Sequence, residues 1–260
     1  MINAFRAEWV RLLRARTLLA VAVPLAFFPA LLTVLTFAAG TGTPGPGSHL
    51  TVSLSDLTAS DGYLVGIDPA ATVIGVVVLV FSAVSTGADY SHGTVRNLLV
   101  RGPRRTLLLT GRLLAMMAFT AGGLLLSVTA AVAAAWAASA GYGVSTGAWT
   151  AVFTESATSW VALVVASIAW GTVGAALGTV LRSVAAAVAV GVVWFLPVES
   201  SLSAVWDGSG RWLPGAVFDA VAGQGSDALS LTAAVALGTV YAAIAYVGAA
   251  WLLNSRDVLA

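Results

Sequence analysis

The chain has 260 residues, of which 59% are apolar and only 9% are charged. Soluble domains average about 45–50% apolar and about 25% charged, and the mean hydropathy here is +0.95. So few charges cannot cover a water-soluble protein of this size, which excludes cytosolic, secreted and disordered classes and places the chain in a bilayer. Cysteine is absent, so disulfides, thiolate catalysis and zinc-thiolate or iron–sulfur sites are excluded. His49 and His92 lie far apart in polar segments, which argues against a haem or metal site. All 12 basic residues are arginines; without lysine there is no phosphate-binding P-loop and no Schiff-base nucleophile.

In chain order, Ile2, Phe5, Trp9, Leu12 and Leu13 share one helical face, with Arg6, Arg11 and Arg14 away from it. Residues 1–16 therefore read as an amphipathic helix lying among the headgroups. A signal peptide is the competing reading. The apolar stretch that follows runs about 23 residues against a usual core of about 7–15, and no small-x-small cleavage site follows it. About 20 apolar residues cross a bilayer as a helix. Six stretches are expected to do so: 17–39, 67–87, 111–140, 157–180, 184–203 and 230–253, none with a charge near its centre. The third is long enough to tilt. The fifth runs apolar only from Val184 to Val198 before Glu199, and Pro197 is expected to kink or end it. Residues 40–66 open with GTGTPGPGSH, which is turn and coil chemistry. Residues 204–229 hold DGSG, Trp212, Pro214 and Phe218. They read equally as short helices dipping into the interface or as a surface loop with tryptophans at the headgroups. No repeat and no second, soluble domain is present, so residues 1–260 form one membrane domain.

Charge placement orients the chain. Six spans put both termini on one side, together with the 88–110 loop and the 181–183 turn. That side carries every arginine except Arg211, and the positive-inside rule makes it cytoplasmic. Asp56, Asp61, Asp68, Glu155, Glu199, Asp207, Asp219 and Asp227 fall outside or at the outer interface. A multi-pass protein of the cell membrane with both termini cytoplasmic is expected. In the fourth span Gly171, Gly174 and Gly178 form a small-residue stripe containing a G-x-x-x-G, which lets helices approach closely within one chain or between two. Chemistry inside a membrane needs ionisable groups at depth, and those are costly enough to stand out. No mid-span acid, H-E-x-x-H or acid–histidine pair is present. Asp89 and His92 share a helix face, but at a boundary where charge costs little. Neither an enzyme nor a metal site is expected.

Residues 87–114, GADYSHGTVRNLLVRGPRRTLLLTGRLL, are the most informative. Gly93 ends the helix leaving the membrane, and Thr94 can cap a short helix, TVRNLLV. Val95, Leu98 and Leu99 give that helix one apolar face, with Arg96 projecting elsewhere. Gly102–Pro103 ends it, and Arg104, Arg105 and Arg112 line the return to the bilayer. Contact with anionic lipid headgroups explains the arginines. It does not explain an apolar face on a cytoplasmic helix, which needs a protein or interface partner.

This segment resembles the first cytoplasmic loop of ATP-binding-cassette (ABC) type-2 permeases. The matching residues are Asp89, Tyr90, Gly93, Thr94, Arg101, Pro103 and Arg105, with the acid usually glutamate and the aromatic usually phenylalanine in that family. LGTVLRS at 177–183, WLPGAVFDAV at 212–221, the SRDVLA ending and the amphipathic start (the family's elbow helix) extend the resemblance over most of the chain. It implies an all-α integral membrane protein of six transmembrane helices, with an N-terminal elbow helix and a short cytoplasmic coupling helix, as in type-2 exporters. It also implies a separate cytoplasmic ATPase subunit that holds ATP and magnesium, since this chain would bind no cofactor itself. A second permease subunit, identical or related, would complete the pathway within the membrane lipids; no nucleic-acid partner is implied. Residues 94–100 would seat in the ATPase, and Asp89 and Arg101 would set the loop geometry, with or without a direct ion pair. Two competing classes remain at this stage: a membrane-embedded enzyme, and an anchor or regulatory membrane protein without a pathway. A channel is a weaker fourth, for want of a charged ring or filter loop.

Overall fold

The computed structural model describes residues 2–41, 57–58, 62–91, 105–144 and 152–255, which are almost entirely helical, with no strand among them. Helix α1 (Ile2–Leu12) is followed by α2 (Ala15–Thr41), α3 (Ile67–Ser91), α4 (Arg105–Tyr142) and α5 (Val152–Leu181). Then come α6 (Val184–Val193), a π-helical turn Trp194–Val198, α7 (Glu199–Val205), α8 (Pro214–Ala222) and α9 (Leu231–Ser255). Among the described residues six helical runs are long and apolar enough to cross a membrane: Ala15–Gly40, Gly62–Tyr90, Leu109–Tyr142, Val152–Leu181, Val184–Val205 and Leu231–Leu253. These are the six expected stretches.

The fifth differs from expectation in a useful way. Pro197 neither ends the helix nor stops the span. The backbone widens into the π turn at Trp194–Val198, and α7 carries the helix on to Val205. A π bulge absorbs the proline ring and its missing N–H without breaking the run. Proline is handled differently in α2, which contains Pro24 and Pro29. Pro29 has no N–H to offer the carbonyl of Leu25, four residues earlier. Ser127 on α4 fills the vacancy: its hydroxyl donates to the Leu25 carbonyl at 2.7 Å, so the apolar interior holds no stranded acceptor there.

The core is built on close approach of α3 and α5. A Cβ at Gly174 would lie 2.2 Å from the Leu79 carbonyl oxygen, and one at Gly178 would lie 2.8 Å from that of Ala83. Gly171 faces Ser82 and Val78 on the same helix. The glycine stripe of the fourth span thus packs within the chain. Gly174 opposite Leu79 and Gly178 opposite Ala83 advance together, so α3 and α5 run parallel, as alternating spans require. Across the seam Gly75 accepts the ring of Trp170, whose Cε2 would sit 2.2 Å from a Cβ at that position. Trp170 then packs on Phe195 at 4.5 Å and on Phe218 at 5.3 Å between ring centres.

Phe218 belongs to α8, which settles the two readings of residues 204–229. Helix α8 packs against α3, α5 and α9, with Val217 and Phe218 fully buried; it is an inserted helix and not a surface loop. Its N-cap residue, Leu213, offers no side-chain cap. Glu199 supplies one from α7, accepting from the Gly215 N–H at 2.9 Å and from the Trp194 indole N–H at 2.8 Å. A carboxylate at a helix start is favoured by the free N–H groups and the dipole. Glu199 and Asp219, expected at the outer interface, therefore point into the bundle. Glu199 is buried, and Asp219 accepts a hydrogen bond from Thr72 of α3.

Candidate functional site

Helix α1, the end of α3, the start of α4 and the 182–183 turn meet at one end of the bundle. Helix α1 packs on α4 and α2. Its buried stripe is Phe5, Glu8, Trp9 and Leu12, at i, i+3, i+4 and i+7; Glu8 and Leu12 are buried, and Phe5 stacks on Trp9 at 5.7 Å. Ile2 and Leu13, expected on this face, are exposed. An acid in the middle of an apolar stripe demands compensation, and the neighbouring helices provide it.

Glu8, Arg11, Asp89 and Arg112 form a charge-balanced quartet. Glu8, Asp89 and Arg112 are only 5%, 7% and 8% exposed. Arg11 Nη1 donates to Asp89 Oδ1 at 3.0 Å, and its Nη2 pairs with Glu8. Arg112 Nε lies 3.3 Å from Glu8 Oε2, and its Nη1 pairs with Asp89 Oδ2. Each carboxylate thus touches both guanidiniums. Ser85, one turn before Asp89, completes the group. Its hydroxyl donates to Glu8 at 3.1 Å, and its carbonyl accepts from both Arg11 and Arg112 at 3.2 Å. Two positive and two negative charges in one largely buried site cancel, and the planar guanidinium forks fix the relative placement of three helices.

The quartet sits where α3 ends and α4 begins, so it ties both ends of the 92–104 segment to α1. Beside it, the Arg182 guanidinium lies 5.7 Å from the Tyr90 ring centre, a cation–π contact. Arg182 holds a left-handed φ of 51° in the two-residue turn between α5 and α6. On α4, just before Arg112, Thr110 hydrogen-bonds Tyr246 of α9 at 2.9 Å. Helices α1, α3, α4, α5 and α9 are thereby joined at this end.

Of the loop residues singled out from sequence, Asp89 and Tyr90 are in this assembly and Arg105 is the first residue of α4. Gly93, Thr94, Arg96, Leu98, Leu99, Arg101 and Pro103 lie outside the described residues. The ion pairs of Asp89 within the description go to Arg11 and Arg112; Arg101, suggested beside it, is outside that description. Arg11, placed away from the helix face by sequence pattern, turns inward, and Arg112 is buried and not a headgroup contact. Glu8 was missed altogether. Two signals pointed to it: its place on the apolar stripe of an otherwise basic helix, and its i, i+3 spacing to Arg11.

No group of three or more potential metal ligands occurs among the described residues. Two shape features accompany the quartet. A groove of about 600 Å³ runs from the α1–α2 corner down between α2 and α3, and a second of about 530 Å³ lies at the other end between α4 and the start of α5. The described residues form an all-helical membrane protein with six helices long and apolar enough to cross, and with the ion pairs of Glu8, Arg11, Asp89 and Arg112 gathered at one end. No protein-family model matches the chain, and no curated protein matches it in sequence.

Proposed function

We propose that this chain is the membrane-spanning permease subunit of an ATP-driven ABC type-2 transporter of the exporting kind. It would lie in the cell membrane with both termini cytoplasmic, coupled through the 88–105 loop to a separate ATPase that holds the ATP and magnesium. A second permease subunit would complete the pathway.

One observation carries the reading: the quartet that binds α1 to the ends of α3 and α4. A loop that only touches headgroups has no need of rigid mounting. A loop that receives a mechanical push does, because a force on it must move whole helices and not bend the chain locally. With Asp89 and Arg112 held by Glu8 and Arg11, displacement of the 92–104 segment would be passed to α1, α3 and α4 together, as a rigid-body switch requires. The residues resembling the family's loop motif, Asp89, Tyr90 and Arg105 within the description and Gly93 to Pro103 beyond it, support the same assignment.

The test is affinity purification of the tagged full chain from its native membrane in mild detergent, with ATPase activity assayed on the eluate. A stoichiometric soluble ATPase is expected. It should be lost on Leu98→Asp with Leu99→Asp, which charges the apolar pattern that the sequence sets at Val95, Leu98 and Leu99 without touching a span. A chain that purifies alone, or one whose ATPase survives that double substitution, refutes the proposal.

A further inference from the structure

The groove between α2 and α3 points to a binding site for one anionic phospholipid of the leaflet at the basic end. Its walls are apolar: Ala20 and Pro24 on α2 face Val76, Val80 and Val84 on α3. Its mouth is not. Arg14 and Arg16, at the α1–α2 corner, line the upper rim. Both are exposed, and neither belongs to an ion pair among the described residues, where Arg11 and Arg112 take all the acidic contacts. An arginine is charged at any working pH. The quartet beside them is already neutral, so it offers these two cations nothing. An apolar slot under two uncompensated guanidiniums fits an amphiphile with an anionic head, and guanidiniums bind phosphate bidentately.

The dimensions select a lipid. From Arg16 to Pro24 on α2 is roughly 12 Å, and from Ala88 to Val76 on α3 roughly 18 Å, at 1.5 Å per residue. One leaflet contributes about half of a hydrocarbon core of about 30 Å. The groove therefore has the depth of a single acyl layer and opens along the bundle surface, where a chain can enter sideways. Its volume of about 600 Å³ lies within the roughly 300–1,000 Å³ of ligand pockets. Pro24 adds a reason for the groove to stay open: it gives no N–H to the Ala20 carbonyl, so α2 is free to bow at this level.

We propose that a phospholipid with a net negative headgroup occupies this groove at one per chain, its phosphate on Arg14 and Arg16 and one acyl chain between α2 and α3. The proposal rests on the groove and its rim and not on the transporter reading; it needs no ATPase partner. The test uses the purified full chain in detergent, titrated with phosphatidylglycerol or with phosphatidylcholine, and counts bound lipid by native mass spectrometry. One saturable phosphatidylglycerol is expected, bound more tightly than phosphatidylcholine. Arg14→Gln with Arg16→Gln should weaken it roughly thirtyfold, at roughly fivefold per arginine near an anionic group. Ala20→Trp should block the slot at unchanged charge; Val84→Phe serves the same purpose if the tryptophan variant is not monodisperse. Phosphatidylglycerol that binds without saturating, or equally well to the arginine variant, overturns the site. Loss in the arginine variant with full retention in both groove-filling variants also overturns it, since the arginines would then be only a surface patch.

Discussion

Replacing Arg112 by alanine tests the quartet most directly. Arg112 is buried and contacts Glu8, Asp89 and the Ser85 carbonyl. Without it Glu8 and Asp89 share Arg11 alone, whose side chain is 32% exposed and so partly screened. One buried negative charge is left without compensation. Removing one partner of a buried ionic group costs about 3–5 kcal/mol; because Arg11 remains, the lower end, about 3 kcal/mol, is expected. At about 2–4 °C per kcal/mol for a chain of this size, the melting temperature should fall by about 6–12 °C. Thermal unfolding in detergent, followed by tryptophan fluorescence, reads this. The companion variant is Arg112→Ala with Glu8→Gln, which restores charge balance around Arg11 and Asp89. It should be more stable than the sum of the two single changes by about 1–2 kcal/mol. Arg6→Ala, exposed and outside both the quartet and the groove, serves as the control and should not shift the transition. An Arg112→Ala protein that melts with the wild type, or a double variant that is strictly additive, refutes the quartet as a buried, coupled unit.

Ser127→Ala strands the Leu25 carbonyl that Pro29 cannot serve and should cost about 1–3 kcal/mol; in a Pro29→Ala background, where a helix N–H returns, the loss measured by thermal unfolding should shrink by half or more. Gly174→Ala places a Cβ 2.2 Å from the Leu79 carbonyl oxygen and should destabilise by about 1–3 kcal/mol by prising α3 from α5, whereas Gly122→Ala, with nothing within 4 Å, should be neutral or better. Asp219, in α8 and outside the six spans, has its carboxyl pushed up by burial from 3.8 to about 6, against the opposing hydrogen bond from Thr72. The folded state then holds a proton that the unfolded state has lost, so this group's contribution is fully present below about pH 3.8 and is lost as pH rises through about 6. At 1.36 kcal/mol per unit the loss is about 3 kcal/mol, and Asp219→Asn should flatten that part of the stability-versus-pH curve measured by thermal melts.

Much of the architecture was legible along the chain because the bilayer imposes a local rule. A helix that crosses must be apolar for about 20 residues, and each such run is visible without knowing its neighbours. The same holds for the basic ends of the runs and for the amphipathic start. Polar residues that act through another element were not legible. Glu199 follows the last apolar residue of the fifth span's short run and reads as an interface acid, yet it caps a helix 16 residues later in the chain. Nothing local says that Leu213 leaves that cap vacant.

The sequence by itself determined that this is a membrane protein and which six runs are long and apolar enough to cross, and it set the expectation that the arginines gather at one set of ends. Hydropathy and charge are sums over neighbouring residues, and partition between water and lipid reads those sums. Only the tertiary structure decided that the Gly171–Gly178 stripe closes on α3, that Pro197 is absorbed in a π turn, that α8 inserts between the spans, and that Glu8 and Asp89 share Arg11 and Arg112. Each of these depends on which side chains meet across space: a glycine needs an opposing carbonyl to be required, and a buried charge needs a counter-charge that here comes from another helix, as Arg112 does for Glu8.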